Sequence, residues 1–438
     1  MLMLLLSMLW MSVFSFMFSF VDTIFMLYLL SMFFFLQMNW AMVYNVGMFL
    51  GMDLMSFLLV ELSLWIGILM LISSMSLMIF YENTYKFYMI LMVFLLLFCF
   101  MVMNLLGFYL LFESVLIPIV MMIMGWGNQP ERLQAGIYML FYTLGGSLPL
   151  LIFLLMFNES LSIFFFPWLN YEISWIFFFM SVLGFLVKMP MFLVHFWLPK
   201  AHVEAPVAGS MILAGVLLKL GIYGLFRVKH LIFKKMLEFS HWIMSIALIG
   251  GVFIGMVCLC QVDIKALIAY SSVCHMGVAL GGIFSMMLWG YMGNMLVMLG
   301  HGLCSSGLFC LANMFYERFF TRSMLLLKGL GCFFPYLSFW WFLFSSVNMA
   351  APPSMNLGGE IMLIGSLIKW SVLVVIPLMI LMFLGASYTM YMYSYLNHGK
   401  GWVVYSVKLM NVREMFLMLM HLYPLVLWVL KMELFCMF

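Results

Sequence analysis

Four charged residues stand inside long apolar runs of this sequence, and each is of a type that can take up or release a proton. Glu113 lies in Asn104-Leu-Leu-Gly-Phe-Tyr-Leu-Leu-Phe-Glu113-Ser-Val-Leu-Ile-Pro118, near the middle of the run. Lys188 follows the apolar stretch from Trp175 to Val187, and Lys219 sits in Met211-Ile-Leu-Ala-Gly-Val-Leu-Leu-Lys219-Leu-Gly-Ile-Tyr. Glu360 comes shortly after Ala351-Pro352-Pro353 and directly after Gly358-Gly359. A charge at the centre of a bilayer costs about 2.5–3.5 kcal/mol on insertion scales, so each such residue is a functional candidate. Desolvation favours the neutral form of lysine and of carboxylate, while an opposite charge nearby favours the ionised form. A buried Lys–Glu pair therefore holds a proton loosely, and a third charge moving close by tips it on or off. The competing reading is a static ion pair that fixes helix packing.

Three histidines are relay candidates: His195, His275 in Ser271-Ser-Val-Cys-His275-Met-Gly, and His301 in Gly300-His301-Gly. An imidazole passes protons in either direction near neutral pH, although a lone histidine among helices is often only a packing residue. Lys265 is a further candidate. His202 and Glu204 follow Pro199 and are expected nearer the surface. Glu61 falls within the apolar run from Phe57 to Met70, with no evident partner. A metal site is not expected, because His195 and His202 would have to converge across Pro199. The eight cysteines include a Cys258-Leu-Cys260 pair, but they lack the two-residue spacing and second cluster of an iron–sulfur or zinc site. There is no phosphate-cradling glycine loop and no dinucleotide fingerprint. On these grounds the chain itself binds no nucleotide and carries no electrons.

The elements that position these residues follow from composition. Of 438 residues, 68% are hydrophobic and 8% charged, and the mean hydropathy is +1.21. A soluble domain carries about 25% charged residues, so this chain has too little polar surface to face water. Backbone groups in lipid must bond one another, which leaves helices or a closed barrel, and continuous apolar runs without period-two alternation exclude the barrel. About 14 spans are expected, near 1–20, 22–36, 54–77, 86–103, 104–124, 134–156, 175–198, 206–227, 240–260, 264–285, 290–314, 333–365, 371–394 and 411–431. The first is read as a retained helix, since it lacks a basic leader region and a small-residue cleavage site. Loops are expected at Asn128–Arg132, Arg227–Glu238, Tyr316–Lys328 and Asn397–Arg413. The distribution of Lys and Arg over the loops favours both termini on the outer side. The net charge of +3 is dispersed, and no basic tract suggests nucleic acid. The 52 methionines are consistent with a mitochondrial genetic code.

Two segments break the helical pattern in similar ways: Met189-Pro190 through Pro199 to Pro206, and Ala351-Pro352-Pro353 to Glu360. Proline removes a backbone donor and disrupts a helix. Broken helices at corresponding places in two halves point to inverted repeats around a transport path. The halves are expected at about 86–227 and 240–394, within a single polytopic membrane domain.

The longest of these motifs, from Leu183-Gly-Phe-Leu-Val-Lys188-Met-Pro through His195-Phe-Trp-Leu-Pro-Lys200-Ala-His-Val-Glu-Ala-Pro to Lys219, resembles the signature of the antiporter-like membrane subunits of respiratory complex I. Gln261-Val-Asp-Ile-Lys265 to His275-Met-Gly and Asn348-Met-Ala-Ala-Pro-Pro to Glu360 resemble it too, and the likeness runs from about Asp53 onward. Glu360 stands where sister subunits typically place a lysine. The resemblance implies a fold of 14 helices with two inverted five-helix repeats, each with a broken helix, and an axis of buried charge at mid-membrane. It implies that Glu113 and Lys188 gate the path, that Lys219 is the central proton carrier and Glu360 the terminal carboxylate. His195, His275, His301 and Lys265 would be relays, with Lys265 near one end of its span.

The activity implied is proton conduction coupled to electron transfer from NADH to ubiquinone, in the mitochondrial inner membrane. FMN, iron–sulfur clusters and ubiquinone would lie elsewhere in the complex. The partners implied are its other membrane and peripheral subunits, the sister antiporter-like subunits among them, and lipids. A subunit of a multi-subunit sodium/proton antiporter or membrane-bound hydrogenase shares these motifs, and a scaffold with inert charges is the alternative of a different class.

Overall fold

A computed structural model describes residues 2–36, 44–46, 49–75, 81–156, 173–399 and 409–431. Cys436, Lys400 and Lys408, with the ends of several expected spans, lie outside the described residues. The chain divides into two compact units, Met1–Lys188 with Glu204–Met236, and Met189–Val203 with Leu237–Phe438. Their helices in chain order are α1 (Leu2–Val13), α2 (Phe20–Leu36), α3 (Leu54–Ser74), α4 (Glu82–Met101), α5 (Leu105–Ser114), α6 (Leu116–Trp126), α7 (Arg132–Met156) and α8 (Trp175–Lys188). There follow α9 (Trp197–Glu204), α10 (Val207–Ile212), α11 (Leu218–Leu259), α12 (Ile264–Phe284), α13 (Leu288–Phe319), α14 (Pro335–Asn348), α15 (Met355–Trp370), α16 (Val375–Asn397) and α17 (Val412–Leu427).

The expected all-α membrane fold is present. Among the described residues nine helices are long and apolar enough to cross a bilayer, and the segment Val207–Leu259, with 53 residues, holds enough for two crossings. Shorter apolar helices at Leu2–Phe16, Phe20–Leu36 and Trp175–Lys188, with the interrupted pair α14 and α15, account for the remaining expected spans. One addition was not expected, a hairpin of two three-residue strands, Tyr44–Val46 against Leu50–Met52, with Leu50 also bridging Val102. The pairing satisfies backbone polar groups that a loop would leave open.

The expected loop Arg227–Glu238 is instead helical, since α11 continues through it. The physical reason is local: Val228 to Phe239 contains no glycine or proline and is rich in Leu, Lys, Met and Glu, all compatible with a helix. Polar residues alone do not stop a helix.

In the first unit α3 is the most enclosed span, with 89% of its apolar window buried, against 33% for α7. Its start is fixed by a capping box: the Asp53 carboxylate accepts from the Ser56 N–H at 2.9 Å and the Ser56 hydroxyl accepts from the Asp53 N–H at 2.8 Å. The span that carries Glu113 is interrupted at Val115, between α5 and α6. Pro118 has no N–H to give the carbonyl of Ser114, so the turn beside Glu113 is opened by the sequence itself.

In the second unit α13 is central, its apolar window wholly buried, and it packs against α12, α14, α15 and α17. Glycines permit the approach to α15: a Cβ on Gly300 would fall 2.2 Å from Oδ1 of Asn356, and one on Gly359 would fall 2.6 Å from Val297. Small residues at such contacts let membrane helices pack by close backbone approach. His301 and Glu360 each adjoin one of these glycines.

Candidate functional site

The protonatable residues expected from the sequence fall into two groups, one in each unit. In the first, Lys188 ends α8 and is 3% exposed. Its ammonium donates a hydrogen bond to the Phe112 carbonyl at 2.6 Å and lies 3.1 Å from the centroid of the Phe112 ring. The ring face is negative, so the cation gains there as well. The carbonyl belongs to the last turn before the break at Val115, where helix carbonyls lose regular partners. Glu113 is the next residue in the chain. Both carboxylate oxygens of Glu113 are buried and accept no hydrogen bond among the described residues. The structure brings the two residues close together, with the ammonium held on the backbone carbonyl of the residue before Glu113.

Lys219 is fully buried in the second residue of α11. Its ammonium donates to the carbonyl of Ala214. That carbonyl lies in Leu213–Leu217, a π-helical turn between α10 and α11. A π turn shifts backbone bonding from the fourth to the fifth residue, and such turns recur at functional sites. Nothing in its composition marks it out.

In the second unit Glu360 Oε1 lies 3.4 Å from His275 Nδ1, and His275 Nε2 lies 3.3 Å from the Tyr388 hydroxyl. The His301 ring centroid is 5.7 Å from that of His275. Beside them is a cavity of about 40 Å³ lined by Cys274, His275, Asn348, Glu360 and Tyr388 together with apolar side chains. At about 10–15 Å³ per water this is room for about three or four. With a carboxyl at one ring nitrogen and a hydroxyl at the other, His275 has the geometry to take a proton on one side and release one from the other.

Two expected relays stand apart from this cluster. His195 stacks on Phe192, ring centroids 5.9 Å apart, and on Phe196, 4.4 Å apart, and its Nδ1 is buried without a hydrogen-bond partner among the described residues. Lys265 is buried in the first turn of α12, ten residues before His275 and so about 15 Å from it along the helix. His202 and Glu204, expected nearer the surface, are in fact buried at 0% and 6% exposure. The cause at His202 is a flat stack on Phe309, ring centroids 4.6 Å apart and planes 2° from parallel. At Glu204 the backbone meets Gly127, whose Cβ position is 2.9 Å from the Glu204 carbonyl oxygen. Among the described residues no three His, Cys, Asp or Glu side chains are grouped as a metal site requires.

Sequence reasoning missed Tyr388, whose only signal was the polar run Ser387-Tyr388-Thr389 within an apolar span. It also missed the ion pair of Arg227 with Asp53, at 2.6 Å and largely buried, because it assigned Arg227 to a loop.

Buried lysines, carboxylates and imidazoles beside interrupted spans set this chain in the class of polytopic helical membrane proteins with an internal path for ions. The family described as "NADH:quinone oxidoreductase/Mrp antiporter, TM" matches residues 102–385, and that described as "NADH-ubiquinone oxidoreductase chain 4, amino terminus" matches residues 1–103. NADH-ubiquinone oxidoreductase chain 4 of Rhipicephalus sanguineus is 56% identical over 387 residues, covering 88% of this chain and 89% of its own. The protein of the same name from Ceratitis capitata is 51% identical over 408 residues, covering 92% and 91%. A chain of respiratory complex I from Thermus thermophilus with bound NADH superposes with a TM-score of 0.87 at 25% identity, covering 97% of this chain and 94% of that one. The chain belongs to the NADH-ubiquinone oxidoreductase chain 4 family. The amino-terminal match extends the likeness to residue 1, beyond the start near Asp53 read from motifs alone.

Proposed function

We propose that this chain conducts protons across the mitochondrial inner membrane as a core membrane subunit of respiratory complex I, driven by electron transfer from NADH to ubiquinone. Its family supports membership of the complex, and its many apolar helices make it a multi-pass membrane protein. The chemistry of electron transfer belongs to FMN, iron–sulfur clusters and ubiquinone in other subunits. What this chain supplies is the proton path. The sister antiporter-like subunits and the peripheral subunits are its partners, with lipid around the exposed helices. The amino-terminal match to chain 4 favours complex I over a sodium/proton antiporter or a hydrogenase.

The single observation that carries the reading is the Glu360–His275–Tyr388 series beside its cavity. An inert scaffold gains little from three polar side chains in line at the heart of an apolar unit, since each costs free energy to desolvate. In the first unit, Glu113 sets whether Lys188 holds its proton. A change of charge near Glu113 releases it, and Lys219 carries it onward. In the second, protonated Glu360 gives its proton to His275 Nδ1, and Nε2 gives one up toward Tyr388 and the cavity. His301 orders the neighbouring ring, and His195 and Lys265 act as outlying relays. The interruptions at 189–196 and 349–354 support two inverted repeats, about 86–227 and 240–394.

The test is Lys219→Ala at the matching lysine of a tractable homologue. NADH:ubiquinone turnover and proton translocation are measured and normalised to assembled complex on a native gel. Loss of both with assembly intact is the expected result. Full activity would overturn the assignment in favour of the scaffold.

A further inference from the structure

Glu61 is a carboxylate within the most enclosed span of the first unit, α3, and the proton path through Glu113, Lys188 and Lys219 leaves it unused. It sits on α3, where its Oε1 is buried and accepts no hydrogen bond among the described residues. The residue as a whole is partly exposed, on the same edge of α3 as Leu54, Leu58 and Trp65. Its carboxyl thus joins that edge to the interior of the unit. A protonatable group so placed is costly to bury, which makes it a functional candidate by default.

Two contacts fix how α3 runs against the segment from α10 into α11. The Asp53 carboxylate meets Arg227 at 2.6 Å, and the Ser73 hydroxyl meets the Met211 sulfur at 3.5 Å. The two stretches are therefore antiparallel. Glu61 is eight residues from Asp53, and Lys219 is eight residues from Arg227. At 1.5 Å per residue each lies about 12 Å from the ion pair, on its own helix. Measured between the two anchors, Lys219 is half-way along and Glu61 two-fifths of the way. The two side chains thus stand within about one helical turn of each other in depth. α3 also packs directly on the π turn Leu213–Leu217, whose Ala214 carbonyl receives the Lys219 ammonium.

From this placement we propose that Glu61 is a side branch of the proton path, a carboxylic acid that reloads Lys219 from the α3 edge. In the step the Glu61 carboxyl loses its proton and the neutral Lys219 amine gains it, directly or through one intervening water. The products are a carboxylate and an ammonium, and no electron moves. The proposal rests on Lys219 being a proton carrier, so its test must separate the two.

The decisive variant is Glu61→Gln in the assembled complex of a homologue carrying this glutamate, since glutamine keeps shape and hydrogen bonding but cannot carry the proton. Turnover and proton translocation per assembled complex are expected to fall about tenfold. That is less than the roughly hundredfold typical when the sole proton-transfer group is lost, because Glu113 and Lys188 still feed Lys219. Glu61→Asp should recover part of the loss, and Glu61→Gln added to Lys219→Ala should cost nothing further. A redox-induced infrared difference band of a protonated carboxyl should vanish in Glu61→Gln. Wild-type turnover with an unchanged band would overturn the branch. Should Glu61→Gln fail to assemble, Glu61→Leu, suited to apolar surroundings, reads the same quantities. Failure of both to assemble would show Glu61 to be a packing residue and overturn the proposal. If Lys219→Ala alone turns over normally, the fault lies with the carrier assignment and not with Glu61.

Discussion

In the unit that carries Lys188 and Lys219 both ammonium groups rest on backbone carbonyls, of Phe112 and Ala214. In the unit that carries His275 and Glu360, side chain meets side chain, from carboxylate to imidazole to phenol. A backbone carbonyl never changes its protonation, so a lysine held on one keeps its place whether its proton is present or absent. In the proposed path, Glu113, next to the residue whose carbonyl holds Lys188, is the charge that controls it. In the histidine series the imidazole has a polar group at each ring nitrogen, an arrangement suited to passing a proton on rather than storing it. The first architecture suits a gate and a reservoir, and the second suits a wire. The first depends on interrupted or irregular helices, since a regular helix would have occupied the carbonyls at 112 and 214 with its own amides.

The sharpest way to break this comparison is Lys188→Met, which preserves much of the side chain's volume without a proton to hold. Turnover and pumping per assembled complex should fall by about a hundredfold, the low end for loss of a positioned proton-transfer group. Glu113→Gln should give a smaller fall, because Lys188 keeps its carbonyl and ring contacts and loses only the charge that controls it. Equal effects from the two would mean that they act as a static pair, and the gate would be the wrong description.

The wire gives a smaller and more specific expectation. Tyr388→Phe removes the hydroxyl that faces His275 Nε2 and leaves the ring packing in place. A single neutral hydrogen bond is worth about 1 kcal/mol, which corresponds to roughly a fivefold loss of turnover. The cavity beside it offers His275 a substitute contact, so the loss should not exceed that. A hundredfold fall would show that Tyr388 itself carries the proton.

How far the sequence anticipated these features depends on the range of the interaction involved. Glu113, Lys188, Lys219 and Glu360 were visible because a lone charge in an apolar run stands out without knowledge of its neighbours. The interruptions at 189–196 and 349–354 were visible because proline acts on its own helix. The partners were not visible. Lys188 finds the Phe112 carbonyl 76 residues away, and His275 finds Tyr388 113 residues away. Neither a tyrosine nor a carbonyl is unusual in an apolar segment. The π turn at 213–217 has no composition of its own, and the burial of His202 is decided by Phe309, which lies on another helix. The continuity of α11 through Arg227–Glu238 was misjudged for the opposite reason, since charge was taken as a loop signal where propensity prevailed.

The Asp53–Arg227 pair separates stability from conduction and carries the smallest expected change in turnover. Burial alone pushes the Asp53 carboxyl up, but the charge and hydrogen bond of Arg227, with the bonds from Ser56, outweigh it and hold the group below the usual carboxylate range. A group with a depressed native pKa contributes stability that is fully present above its unfolded value, near 3.9, and lost as the pH falls through the native one. Asp53→Asn leaves Arg227 buried without its counter-charge, a loss of about 3–5 kcal/mol in comparable buried pairs. The retained Ser56 contacts set it toward the lower figure. The temperature at which the complex dissociates should therefore drop by the same amount at pH 8 and pH 5, while turnover per intact complex stays near normal. A difference that shrinks between pH 8 and pH 5 would mean that the carboxyl titrates in that window and is not held by Arg227. A fall in turnover with stability unchanged would instead place Asp53 on the proton path, and the separation between anchor and path in this unit would fail.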